Sequence, residues 1–424
     1  MSERPAYDKW YYCYLPIGIA NGATSLLIVL FAYQLGANVG QIGLIAAASS
    51  LSSVPAYMIW GSLSDRIKRR KPFVILGFVG MAICLILMGI SDNVPDYFIA
   101  NLLFGFLSSA SAPVATILVI ETAKKDQWAK RIAAFSQIGG IGWVAGLALG
   151  AIWLQFEMLN MPLDNAMRAL FILGAALALI SSIGAWKWIK EPRKKIIAKP
   201  IALEEHLYVT IERLKYIPLR MLHFFEPRTY LAHSHKFNRP LLLYLGCIFL
   251  LFAGFTAFYA FFPIFLADEI GLRSSEIFVI YIAAQLTSVV FYTRVAKIVT
   301  EKGSKKTQIL GAGARSILFP SFLILALFQL PIAATFLIIA VLHAIVGLCW
   351  ALINVSGSMI VSNLSPENLR GNAFGAYNAV QGFGAIAGPI AGGMVAQFFG
   401  YSAGFFCASG FIICGIIILI RLRV

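Results

Sequence analysis

Twelve long runs of mostly apolar residues divide this 424-residue chain, with little left between them. They lie at 10–34, 40–62, 73–91, 97–121, 131–155, 167–189, 240–267, 275–297, 307–328, 333–361, 371–398 and 401–420. A helix needs about 20 such residues to cross the hydrocarbon of a bilayer. Inside hydrocarbon the backbone must satisfy its own polar groups, so runs of this length are restricted to helices. Charged residues make up 12% of the chain, against about 25% in a soluble globular protein. The fold class expected is therefore an all-α membrane protein with twelve transmembrane helices. The first run is too long for the core of a signal peptide, so no cleavable leader is expected.

The formal net charge of +15 raises the question of nucleic acid. The placement of the charges answers against it. With the N-terminus in the cytoplasm, Arg168 and Arg273 are the basic residues on the outer side, and Arg315 is the basic residue deep inside a run, away from its ends. All other Lys and Arg fall on the cytoplasmic side, which predicts cytoplasmic N- and C-termini. The same excess suits a bilayer with anionic headgroups as partner. Six cysteines (Cys13, Cys84, Cys247, Cys349, Cys407 and Cys414) are scattered through apolar runs without a CxxC pair, and read as buried thiols. His233 and His235 have no further ligand near them and read as loop residues, so no metal and no cofactor are expected.

The halves echo each other. Residues 1–189 hold six runs, residues 190–239 are charged and proline-rich, and residues 240–424 hold six more. This predicts an N-terminal bundle, a cytoplasmic linker and a C-terminal bundle. Within the linker, Leu203, Leu207, Ile211, Leu214 and Ile217 recur at helical steps, as in an amphipathic or solvated helix. Between the second and third runs stands Gly61-Ser62-Leu63-Ser64-Asp65-Arg66-Ile67-Lys68-Arg69-Arg70-Lys71. After the eighth run Glu301 aligns with Asp65, Lys302 with Arg66, and Lys305-Lys306 with Arg69-Arg70. Gly142, Gly146 and Gly150 of the fifth run align with Gly384, Gly388 and Gly392 of the eleventh at nearly the same offset.

On these residues the chain resembles the twelve-helix major facilitator superfamily over its whole length. Gly61, Asp65, Arg66, Arg69 and Arg70 match the family's loop pattern Gly-x-x-x-Asp-Arg-x-Gly-Arg-Arg, and Lys68 replaces its second glycine. Gly61 suits a close helix approach. The resemblance implies that Asp65 caps the eleventh helix near Gly371, and Arg69 or Arg70 can reach Glu121 at the inner end of the fourth. Gly61, Asp65, Arg66, Arg69, Arg70 and Glu121, with their echoes Glu301 and Lys302, would then form a conformational latch. A basic, topology-setting turn is the other reading. The Gly-Pro run of the eleventh helix resembles a family pattern best known from the fifth helix of exporters, where this chain keeps the glycines and lacks the proline. Tight packing through small residues is the alternative there.

The resemblance also implies a cavity between two six-helix halves that rock against each other. Polar residues at mid-depth are candidates for its lining: Asn21, Thr24 and Ser25; Asn101 and Ser108; Tyr281, Gln285 and Ser288; His343, Trp350 and Asn354; Asn378 and Gln381. Each has a rival reading as glue between helices. No Asp or Glu occupies the central third of a run, so proton coupling would rest on His343 or Glu121, and a uniporter needs neither. Arg315 is expected to snorkel to the inner headgroups, which leaves a cavity without fixed charge, suited to a neutral, zwitterionic or amphipathic solute. The function expected is a multi-pass secondary transporter of the cell membrane, moving a small organic solute by alternating access as a monomer. Export and proton coupling stay open, with facilitated uniport as the alternative. A membrane-embedded enzyme or a channel finds little support. The five histidines form no catalytic cluster, and a duplicated design needs no oligomeric pore.

Overall fold

A computed structural model describes residues 8–67, 69–122, 127–155, 161–191, 237–328, 330–365 and 369–422. The linker helix read at 203–217 and the pair His233 and His235 lie outside the described residues. The remainder is helical, without a strand among the described residues. The helices are α1 (Lys9–Ser25 continued by Leu27–Gln34), α2 (Val39–Ile67), α3 (Lys71–Ile90), α4 (Val94–Glu121), α5 (Trp128–Trp153) and α6 (Leu163–Trp188). The second half repeats the count with α7 (Arg239–Asp268), α8 (Ser274–Lys302), α9 (Ser304–Leu327), α10 (Ile332–Leu364), α11 (370–399) and α12 (401–421).

Three breaks depart from twelve plain rods. α1 bends by 40° after Ser25, where the Thr24 and Ser25 hydroxyls donate back to the Ala20 and Gly22 carbonyls. Such back-bonding competes with the helical ladder and bends it. α4 is interrupted at 109–111, because Pro113 cannot donate to the ladder and Ser108, Ser109 and Ser111 all bond to preceding carbonyls. α11 and α12 meet at Gly400, whose φ of 83° is left-handed. Only glycine adopts that conformation without strain, so a single residue makes the turn. Arg168, read as a loop residue, lies inside α6 and bonds the Gly89 carbonyl and Asp92.

The glycine echo is a packing echo. A Cβ at Gly142 of α5 would come 2.7 Å from the Leu15 carbonyl oxygen of α1. A Cβ at Gly384 of α11 would come 2.8 Å from Phe252 of α7. Each half thus joins its first and fifth helices through small residues, the arrangement that membrane helices use to bring backbones together.

Among the described residues the halves meet toward one end. The end carrying 61–71 and 297–306 is called the basic end. At the opposite end Gly43 of α2 packs against Pro389 and Gly393 of α11, and Gly150 of α5 against Phe278 of α8. Tyr33 and Tyr401 both donate to the Asp268 carboxylate there, at 3.0 and 3.2 Å. The α2–α11 contact continues to Val54 and Gly382, then stops: a Cβ at Gly61 or Gly375 would meet nothing within 4 Å. The same holds for Gly139 and Gly140 of α5. Among the described residues the halves are therefore in contact at the opposite end and parted at the basic end. In this state the close approach of α2 lies at Gly43, and Gly61 has no helix packed against it among the described residues.

Candidate functional site

Between the halves lies a cavity of about 380 Å³. α1 contributes Ser25, Leu26 and Val29, and α5 contributes Trp143 and Leu147. From the other half come Phe252, Phe255, Thr256 and Tyr259 of α7, Tyr281, Gln285 and Ser288 of α8, and His343 and Trp350 of α10. The walls are aromatic and the polar groups few, the usual constitution of a small-molecule site. His343 is 1% exposed and stacks on Phe262 with centroids 5.3 Å apart. Its Nδ1 has no hydrogen-bond partner, and neither does the nearby Tyr281 hydroxyl.

The cavity also contains a cation. Arg315 sits midway along the 24-residue α9 and is 2% exposed. Its guanidinium lies 4.6 Å from the Phe255 ring centroid and 5.4 Å from that of Trp350. One nitrogen donates to the Val346 carbonyl at 3.2 Å, while Nε and the other terminal nitrogen have no partner. This corrects the snorkelling assignment. The side chain points between α7 and α10 because their aromatic rings offer a cation a face to rest on, and that holds it away from the headgroups. It also corrects the view of a cavity without fixed charge. Desolvated cation–π contact returns about 2 kcal/mol, against a penalty of several kcal/mol for burying an ion.

A second cavity of about 390 Å³ lies within the first half. Asn21, Tyr57, Ser108, Ser109, Ser111 and Thr116 supply its polar lining. The break in α4 turns this cluster of serines toward the space. The sequence candidates thus divide. Ser25, Tyr281, Gln285, Ser288, His343 and Trp350 meet in the central cavity, and Asn21 and Ser108 in the other.

Five cavity candidates line neither of these two spaces, and the structure gives Thr24 and Asn101 another role. Thr24 is buried, with its methyl against Gly174 of α6. Asn101 is fully buried and donates to the Ile45 carbonyl, holding α4 to α2. Both are glue between helices. Asn354 and Asn378 are exposed, and Gln381 is half-buried on α11. Polarity at helical spacing does not show which face of a helix turns to the cavity.

At the basic end Arg70 is 8% exposed. It bonds Glu121 through Nε at 3.4 Å and a terminal nitrogen at 3.1 Å, and the Ser64 hydroxyl at 2.7 Å. Of the two arginines proposed to reach Glu121, Arg70 makes the contact, and Arg69 is exposed. Glu191, just beyond α6, was not singled out from the sequence. Its carboxylate accepts from the backbone N–H groups of Arg70 and Lys71 at 3.1 and 2.8 Å. A carboxylate belongs at such a helix start, where orphan donors and the dipole favour an anion. The available signal was that Glu191 follows the sixth run directly. Asp65 and Arg66 lie on the last turns of α2, and their side chains are outside the described residues. Glu301 and Lys302 end α8 as exposed residues. No group of three or more His, Cys, Asp or Glu positioned to hold a metal occurs among the described residues.

Comparisons with known proteins agree with this architecture. The family model for the Major Facilitator Superfamily matches residues 11–319 and 312–424. The chain is similar to the multidrug resistance protein MdtG of Yersinia enterocolitica, 25% identical over 51% of this chain and 50% of that protein, so this match spans about half of each. Similarity to the MdtG of Escherichia coli O9:H4 runs at 24% identity over 97% of this chain and 92% of the relative. The crystal structure of the nucleoside transporter NupG superposes with a TM-score of 0.71 at 14% identity, covering 98% of each chain, which speaks to the fold. Twelve helices in two echoing bundles, a cavity between them and a family match along the chain make this a multi-pass membrane protein of the Major Facilitator Superfamily.

Proposed function

We propose that the protein is a secondary transporter of the cell membrane that moves small amphipathic organic molecules by alternating access, in the export direction. One observation carries the reading. A cavity lined by both halves lies where the halves are joined at one end and parted at the other. A rocking motion that closed the basic end and opened the opposite one would deliver its contents across the membrane. Export is supported by the similarity to multidrug resistance proteins. The charge asymmetry supports a cytoplasmic basic end and cytoplasmic termini.

The test places cysteines at Gly61 and Gly375, one on α2 and one on α11. By the register of Gly43–Gly393 and Val54–Gly382 these two positions face each other when the basic end closes. Oxidative cross-linking is expected to trap that closed form and stop transport in proteoliposomes, and reduction to restore it. A cross-linked protein that transports at the uncross-linked rate would refute alternating access here. Asp65→Asn is expected to lower transport at unchanged expression if the loop is a latch.

Facilitated uniport is the second reading, favoured by the absence of Asp and Glu from the described linings of both cavities. Of the two proton-coupling candidates, Glu121 is paired with Arg70, whereas His343 lines the cavity. Transport that ignores an imposed pH gradient would decide for uniport. A pH profile flattened by His343→Gln would assign coupling to that ring.

A further inference from the structure

We infer that the central cavity takes organic anions, with Arg315 as the counter-charge and the aromatic walls holding the apolar body. The inference rests on the transport reading for its purpose and on the geometry alone for its chemistry.

Arg315 is a full charge at mid-membrane, and an ionisable residue at that depth is functional by default. No carboxylate pairs with it among the described residues. The described acids of the second half, Asp268, Glu269, Glu276 and Glu301, all sit at helix ends. A structural role as glue through the Val346 carbonyl does not account for the charge. One residue further along, Ser288 of α8 donates to the Gly347 carbonyl at 2.6 Å and does that task with a neutral hydroxyl. Arg315 is left with two nitrogens unpartnered and buried against the same cavity. Nature rarely leaves buried donors unmatched.

The unmatched groups converge. The Arg315 guanidinium, the Tyr281 hydroxyl and the His343 ring all line one space, and each has a polar atom without a partner. Guanidinium and phenol donate, as the imidazole can through either nitrogen. A carboxylate or sulfonate oxygen accepts charge-assisted bonds from a guanidinium. Phe255 and Trp350 flank the same guanidinium, so an aromatic or alkyl body attached to the anion would lie along those rings. The class is thus an amphipathic monoanion. A bare inorganic ion would leave the rings without a contact, and a neutral amphipath would leave the arginine unpaired.

The experiment titrates the purified full chain in detergent with 2-naphthoate and with its neutral isostere 2-naphthamide, by calorimetry. One charge-assisted contact is worth about tenfold or more in affinity, so wild type is expected to prefer the naphthoate by at least about that ratio. Arg315→Gln should bring the ratio to about one, and Arg315→Lys should keep part of the preference. Arg294→Gln removes an exposed charge from α8 and serves as the control, with the wild-type ratio expected. Equal affinities in wild type, no naphthoate binding at millimolar concentration, or an undiminished ratio in a monodisperse Arg315→Gln protein would each overturn the assignment. Anion-selective binding in a protein that moves neither probe in proteoliposomes would uphold this assignment and overturn the transport reading.

Discussion

The two copies of the basic loop have come to rest in different chemistry. In the first half Arg70 is held by Glu121 and Ser64, and Glu191 takes the backbone donors at the start of α3. In the second half the knot among the helices is neutral. Tyr244 of α7 donates to Gln308 of α9 at 2.9 Å, reaches the Gly357 carbonyl of α10 and stacks on Tyr377 of α11. The loop lysine that echoes Arg69 is Lys305, whose ammonium donates to the Ile420 and Leu422 carbonyls at the end of α12. Both halves thus tie the loop after their second or eighth helix to the chain emerging from their sixth or twelfth. The first uses carboxylates and the second uses carbonyls. A charge pair can exchange one partner for another as the basic end closes, whereas a neutral knot has no charge to hand on. On the proposed alternating-access reading, the contrast would make the first loop the working latch and the second a brace.

The largest test of that contrast is Arg70→Ala. It leaves Glu121 without this cation in a site where the two side chains are 10% and 15% exposed. The expected loss is about 3 kcal/mol of unfolding free energy in an SDS titration, the cost of breaking a buried pair by one partner. Next, the cycle of Arg70→Gln, Glu121→Gln and the double variant should show a coupling of about 1–2 kcal/mol, because the two act as one unit. Additive single changes would reduce the ionic knot to two unrelated residues. Tyr244→Phe should then cost about 1 kcal/mol, the net value of neutral hydrogen bonds. Smallest of all, Lys305→Ala should cost no more than about 0.5 kcal/mol, as expected for a cation at an exposed helix C-terminus. If Lys305→Ala matched Arg70→Ala, the two loops would be equivalent and the latch-and-brace distinction would fall.

Much of this was legible from residue order. The runs gave twelve helices because a bilayer leaves the backbone few options. The glycine echo marked α5 and α11 as tightly packed helices because close approach tolerates only small residues, while their partners α1 and α7 appear only in the structure. Glu121 was found as the counter-charge because no other acid stands near the inner end of α4. What stayed hidden depends on rotation about a helix axis. Thr24 lies one residue from Ser25 yet faces α6 while Ser25 faces the cavity. Arg315 looked like a snorkelling residue because depth can be counted along a helix, whereas direction is decided by rings on α7 and α10 far away in sequence. Glu191 was read as the edge of a linker because its partners, two backbone amides, carry no sequence signature.

Gly400 connects α11 to α12 with a single left-handed residue and no loop. A joint that short has no slack. If α11 tilts along α2 as the proposed alternating access requires, α12 must travel with it, or the whole rotation must be absorbed in the two torsions of one glycine. A side chain at this position would stiffen the joint as well as strain it. The opposite end of the second half would thereby be geared, the helix lining the interface drawing its outer neighbour with it in the proposed cycle.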